Sequence, residues 1–166
     1  MLTSLPESVK NNPLLPSTFT MNKSSLVTEV KSRIAQKISR LENLISQTRE
    51  SNSETKSSMG DKYETSREMV EQEIKNLQRQ LNEAQAQKLA VQKLSDTTNK
   101  SVDSGALVET AMGVFYIATS VGEIGLENKK IITVSPESPL AKAMSGLSEQ
   151  QDFILNGLKQ TIKNIW

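Results

Sequence analysis

The chain has 166 residues, a formal net charge of +1 and 36% hydrophobic residues, with only three Phe, two Tyr and one Trp. This apolar share is below the usual one for a compact globule, so we expect no single deep core through the whole chain. The absence of Cys and His excludes a disulfide framework, zinc sites of the Cys/His type, and Cys–His or Ser–His–Asp catalysis.

The N-terminal region, residues 1–22, contains Pro6, Pro13 and Pro16 among many Ser, Thr and Asn residues. Such a composition predicts a flexible tail. No apolar run approaches the roughly 18 residues of a membrane span, and we find no signal-peptide pattern at the start. The balanced charge does not indicate a direct nucleic-acid partner. We therefore expect a cytoplasmic protein without membrane contact.

Apolar residues at spacings of three and four predict two α-helices within residues 23–94, with Ser24 or Ser25 as the first N-cap. Each seam is too narrow to be stable alone, so the helices are expected to pair as an antiparallel coiled-coil hairpin with its turn near residues 50–60. At about 1.5 Å per residue, such an arm is roughly 45 Å long. The seam is expected to bury Val30, Ile34, Ile38, Leu41, Ile45, Val70, Ile74, Leu77 and Leu81.

Charge is segregated along this hairpin. Lys and Arg exceed Asp and Glu by four in residues 23–49 and by three in residues 74–100, whereas the acids exceed the bases by four in residues 50–73. Acids near the start of the second helix oppose its dipole, which is a sufficient structural reason for them. The functional alternative is an acidic tip that holds a hard cation such as Mg²⁺ through oxygen ligands.

After a polar linker at residues 95–104, residues 105–166 have the texture of a small β-rich domain. Short β-branched runs predict strands, and Ser138 followed by Pro139 predicts the capped start of a short helix. Asn156-Gly157 between two apolar runs is a strong hairpin signal. The whole chain is therefore predicted to be α+β, with a helical hairpin followed by a β domain.

One segment of this domain resembles a known family. The run from Lys130 to Gly146, KIITVSPESPLAKAMSG, is similar to the strand and Ser-Pro helix start of the Gre family (GreA and GreB) of bacterial transcription elongation factors. Gly60-Asp61, Tyr63-Glu64 and Arg67-Glu68 resemble the tip and early second helix of that family. The resemblance extends over about residues 23–166.

The resemblance implies an FKBP-like β domain that docks on the rim of the secondary channel of RNA polymerase while the hairpin enters the channel. It implies that Asp61 and Glu64 share one Mg²⁺ with the polymerase and favour cleavage of backtracked RNA. The factor would be monomeric, would have no cofactor of its own, would not be an independent enzyme, and would meet nucleic acid only through the polymerase. The implied docking residues are Ser138, Pro139, Leu140 and Ala141.

Three alternatives remain open at this stage. If Tyr63 is aligned with the family's tyrosine, the tip acids fall near Lys56 and Met59, neither of which is acidic, and the chain becomes a non-cleaving polymerase modulator. A coiled-coil adaptor for another protein is the second alternative. An FKBP-like prolyl isomerase is the third, and it is disfavoured because few aromatic residues are present to line a proline pocket.

Overall fold

The computed structural model describes residues 21–54 and 64–166. It confirms the predicted α+β class, because a long helical hairpin precedes a six-stranded mixed sheet that carries one short helix. Residues 1–20 of the predicted tail at 1–22 lie outside the described part, as do residues 55–63, which hold most of the turn predicted near 50–60. Of the described remainder, Met21 is buried in the core rather than part of a tail, and residues 50–54 continue α1. The elements are α1 (Lys23–Glu54), α2 (Glu64–Gln92), β1 (Leu107–Thr110), β2 (Gly113–Ile117), β3 (Glu123–Leu126), β4 (Lys129–Val134), α3 (Pro139–Met144), β5 (Asp152–Leu155) and β6 (Leu158–Ile165).

Helix α1 begins at Lys23, at least two residues earlier than a cap at Ser24 or Ser25 would allow. The side-chain Oδ1 of Asn22 accepts a hydrogen bond from the backbone N–H of Ser25 at 3.1 Å. Asn22 is therefore the N-cap, and the prediction of Ser24 or Ser25 was wrong. An amide oxygen at this position satisfies one of the N–H groups that the first helical turn leaves unpaired.

The predicted seam is present between α1 and α2. Six of the nine positions are buried, and the other three, Ile38, Val70 and Ile74, are half-buried. Val70 and Ile74 lie towards the distal end of the arm, where only the two helices cover each other. Lys88, which interrupts the heptad pattern, is exposed, and Ala84 and Val91 continue the buried seam on either side of it.

The six strands form one sheet in the order β3-β4-β2-β1-β6-β5. Strands β2 and β4 run parallel, and all other neighbours are antiparallel. The predicted Asn156-Gly157 hairpin is confirmed, with φ of 51° and 77° at these two residues. Glu127-Asn128 makes the same kind of turn between β3 and β4, with φ of 50° and 63°. Positive φ at both central residues is the signature of a type I′ turn.

The sheet separates two apolar cores. Its first face packs against the base of the hairpin, so that Leu107, Tyr116 and Ile131 share one cluster with Leu26 and Val30 of α1. Its second face packs against α3 through a cluster of Val102, Ala106, Val108, Ile117, Ala141, Met144, Phe153, Ile162 and Ile165. The N-terminal turns of α1 therefore complete the core of the β domain.

Candidate interaction sites

The distal end of the hairpin is acidic in the described residues. Glu64 is exposed and is the first residue of α2. Glu68 and Glu71 follow at helical spacing on the same face. Within residues 21–54 and 64–166, no group of three or more acidic side chains is arranged to hold a metal ion. Asp61, the other predicted ligand, lies outside the described residues, so a Mg²⁺ held by Asp61 and Glu64 stays a prediction.

The predicted docking segment is the start of α3. The Oγ of Ser138 accepts a hydrogen bond from the N–H of Ala141 at 3.2 Å, and Pro139 occupies the first turn, so the predicted cap is confirmed. Pro139 is exposed, Leu140 is half-buried against the second core, and Ala141 is 3% exposed. A partner at this site would thus meet Pro139 and part of Leu140, while Ser138 and Ala141 set their geometry.

Two exposed apolar side chains lie on the β5–β6 hairpin, against which α3 packs. Ile154 is 70% exposed and Leu158 is 65% exposed. Ile154 points away from the core because its neighbours Phe153 and Leu155 pack into it. These two residues were missed in the sequence, although an apolar residue at an outward position of a strand is a usable signal for an interaction surface.

Lys23 ties the start of α1 to the β domain. Its ammonium group donates to the carbonyl oxygen of Thr97 at 2.7 Å, to Oδ1 of Asn99 at 2.6 Å and to the main-chain oxygen of Trp166 at 2.9 Å. The residue is 5% exposed. Burial lowers the pKa of Lys23 to about 8, and the nearby charge of Asp96 opposes that change in part. All three protons of the ammonium are therefore used within the protein.

Arg33 makes a second tie from the same helix. Its Nη1 donates to the carbonyl oxygen of Glu123 at 2.7 Å and to that of Val121 at 3.4 Å. Its Nε pairs with Glu29 at 2.8 Å, one helical turn earlier. From the sequence, Lys23 and Arg33 were counted only among the excess basic residues of positions 23–49. Their main-chain acceptors lie far along the chain, so the local sequence pattern gives no sign of these hydrogen bonds.

The α2 side of the same junction is open. Two cavities of about 390 and 340 Å³ lie between α2 and the β domain, and they share Ala90, Leu94 and Ser104 as walls. The Oε1 of Gln87 is buried beside the smaller cavity and has no hydrogen-bond partner in the described structure. The hairpin is thus fastened to the β domain along α1 and separated from it by a cleft along α2.

No described helix is both long enough and sufficiently apolar to span a bilayer. No protein-family model matches the chain, and no curated protein matches it either.

Two solved structures match it. Gfh1 of Thermus aquaticus is 15% identical, with 82% of this chain and 93% of that chain covered and a TM-score of 0.34. GreA factor homolog 1 (Gfh1) of Thermus thermophilus is 14% identical, with 82% and 94% covered and a TM-score of 0.31.

Proposed function

We propose that this chain is a transcription factor of the Gre type that binds bacterial RNA polymerase at its secondary channel. The observation that carries the proposal is a helical arm fastened to a small β domain, with a sequence from Lys130 to Gly146 that resembles the Gre docking segment. In this scheme the β domain supplies affinity, and the hairpin delivers its acidic end into the channel.

The docking surface that we propose combines the start of α3 with the β5–β6 hairpin. Pro139 and Leu140 provide a rigid apolar edge, since proline fixes the backbone and Ser138 caps the turn. Leu158 adds exposed apolar area on the same face of the sheet, because it pairs with Leu155, which packs against α3. Desolvated apolar residues near the centre of an interface supply most of the binding free energy.

The docking proposal is tested by measuring binding of the purified chain to bacterial RNA polymerase by fluorescence anisotropy. Leu140→Asp and Leu158→Asp should each weaken binding about tenfold or more, because a charge is then buried in an apolar contact. Met112→Asp is the matched control, since Met112 is an exposed apolar residue in the β1–β2 turn. Leu158→Asp changes only an exposed side chain, so it tests the surface even if Leu140→Asp unfolds.

Failure of the parent protein to bind polymerase would reject the proposed function. Parent-like binding by a folded Leu158→Asp and a folded Leu140→Asp would reject only this surface.

We further propose that the arm acts through its acidic end. Glu64, with Asp61, would contribute carboxylate oxygens to a Mg²⁺ held by the polymerase, where such an ion can activate water against a phosphodiester. Changing both residues, to Gln and Asn respectively, removes two charges and keeps their size. Polymerase binding should be retained, whereas stimulated cleavage of backtracked RNA should be lost. Glu83→Gln, an acid of the mid-shaft, is the control.

The parent protein itself decides between two forms of this proposal. Stimulated cleavage that disappears in the double variant and survives in Glu83→Gln supports the tip assignment. Binding without any stimulated cleavage would favour the register in which Tyr63 aligns with the family tyrosine, and the chain would then be a non-cleaving modulator. Undiminished cleavage by the double variant would exclude Asp61 and Glu64.

A further inference from the structure

The junction between hairpin and β domain is asymmetric. Along α1, apolar contacts from Leu26 to Ile34 and the hydrogen bonds of Lys23 and Arg33 fasten the helix to the sheet. Along α2, only Val91 and part of Leu94 join that core. The cleft occupies the remaining space on this side. The hairpin is therefore supported from one side.

We propose that Lys23 and Arg33 are positioning residues that fix the angle between the helical arm and the β domain. Each holds α1 at one point, and two points along a rod define its direction, whereas one point leaves it free to rotate. Lys23 and Arg33 are ten positions apart, which is a rise of about 15 Å along the helix. The inference rests on the proposed function only where it concerns the effect of the arm on a partner.

Apolar packing alone would not set this angle. The hydrophobic effect is non-directional and tolerates small rotations of a helix on a sheet, whereas hydrogen bonds lose strength as their distance and angle depart from the optimum. The acceptors of Lys23 belong to the segment after α2 and to the residue that follows β6, and those of Arg33 belong to the segment that enters β3. The two side chains thus hold α1 in a fixed position relative to three separate segments of the chain.

The length of the arm magnifies any error in this angle. With Lys23 as pivot, Glu54 lies about 46 Å away along α1, so a shift of about 1 Å at Arg33 becomes about 3 Å at Glu54. Displacements of this size are costly where reacting groups must be aligned. The open cleft along α2 leaves space into which the arm can move.

The chain has no cysteine, so paired spin labels can be placed without background. Gln47 on α1 and Lys163 on β6 are both exposed, and the two Cys substitutions allow the arm-to-sheet distance to be measured by pulsed electron paramagnetic resonance. The test variants are Lys23→Met, Arg33→Gln and their combination. Arg40→Gln is the matched control, since Arg40 is an exposed arginine of the same helix.

We expect one narrow distance distribution for the parent and for Arg40→Gln, and a distribution about twofold broader or more for the double variant, from the lever ratio of about 2.4 at Gln47. Arg33→Lys keeps the charge but not the two-carbonyl geometry, so it should give an intermediate width. A role in stability alone would lower the thermal midpoint without broadening the distribution. A folded double variant, or a folded Arg33→Gln if the double variant unfolds, with parent-like width would overturn the proposal.

The distance measurement needs no polymerase, so its outcome is independent of the proposed function. If the chain binds polymerase, the double variant should bind with parent-like affinity and lose most of the arm-dependent effect, since docking is assigned to α3 and the β5–β6 hairpin. If the double variant has a broadened distance distribution but acts on the polymerase as the parent does, the angle does not matter for the partner. That outcome would overturn the claim about the arm-dependent effect.

Discussion

The base and the distal shaft of the hairpin follow the same apolar spacing but are stabilised differently. At the base, Leu26 and Val30 are fully buried because the sheet covers the helices as a third layer. In the distal shaft, Leu41, Leu77 and Leu81 form a small cluster between two helices only. A heptad pattern therefore tells where helices meet, and the layer beyond the seam decides how much free energy the contact contributes.

The comparison also predicts where the molecule opens first. Helices with few buried apolar contacts are held by their own marginal helix–coil equilibrium, and such regions open with smaller free energies than the core. The base should therefore unfold with the sheet as one unit, and the distal shaft should open locally before it.

The largest effect is expected at the base. Leu26→Ala should lower the free energy of unfolding by about 2–5 kcal/mol, because a fully buried leucine leaves a cavity between α1 and the sheet. Urea unfolding followed by circular dichroism measures it, and the helix and sheet signals should be lost together. A loss restricted to helical signal would show that the base is not part of the sheet core.

A smaller and local effect is expected in the shaft. Leu77→Ala should cost about 2 kcal/mol, at the low end for a buried leucine, because a two-helix seam can relax around the gap. Amide hydrogen exchange should become faster in the distal halves of α1 and α2 and stay unchanged in β1, β2 and β4. Equal acceleration in the sheet would refute the distinction between the two regions.

A gain in stability is expected from Tyr116→Phe. The Tyr116 side chain is fully buried in the base core, and its hydroxyl has no hydrogen-bond partner in the described structure. Burial raises the pKa of Tyr116 to about 12. Removing an unsatisfied buried hydroxyl should raise the free energy of unfolding by about 1 kcal/mol. A decrease of similar size would indicate that the hydroxyl is hydrogen-bonded in solution, for instance to a buried water.

The smallest effect concerns pH. The pKa of Lys23 is about 8 in the folded chain, against an ordinary value of 10.5. Between pH 8 and pH 10.5 the unfolded chain retains a proton on Lys23 that the folded chain has released. The contribution of Lys23 to the free energy of unfolding therefore rises with pH in this range and is constant below about pH 8.

Thermal midpoints of the parent and Lys23→Met should therefore diverge in favour of the parent from pH 8 to 9.5. Tyr116, with its raised pKa, lowers the stability of both proteins alike at higher pH and therefore cancels in this comparison. Parallel curves would mean that Lys23 is solvated in the folded protein.

Much of this architecture could be predicted because it rests on local pattern. Apolar spacing without Gly or Pro located both helices, and turn chemistry located the Asn156-Gly157 hairpin and the Ser138 cap. Strand β3 was not predicted, since Gly122 and Gly125 interrupt its short apolar pattern.

The layer beneath the hairpin was also beyond sequence reasoning. Val27 and Val30 have the same spacing whether a sheet covers them or not, so the pattern cannot reveal that α1 also packs against the sheet. Lys23 and Arg33 illustrate the same limit for polar groups, because their acceptors are main-chain oxygens brought close only by the tertiary fold. Of the candidate sites, Ser138–Ala141 could be placed on a helix start from sequence, but the exposed Leu158 on the same face of the sheet was not singled out.

The continuity of α1 across both regions has a consequence for the order of folding. The distal seam pairs neighbouring helices, and such local contacts form rapidly. The apolar face from Leu26 to Ile34 must instead wait for strands that follow the entire hairpin in the chain. During synthesis from the N-terminus, that face is made early and covered late. The interval between the two events is the period in which the nascent chain exposes this apolar face to other chains.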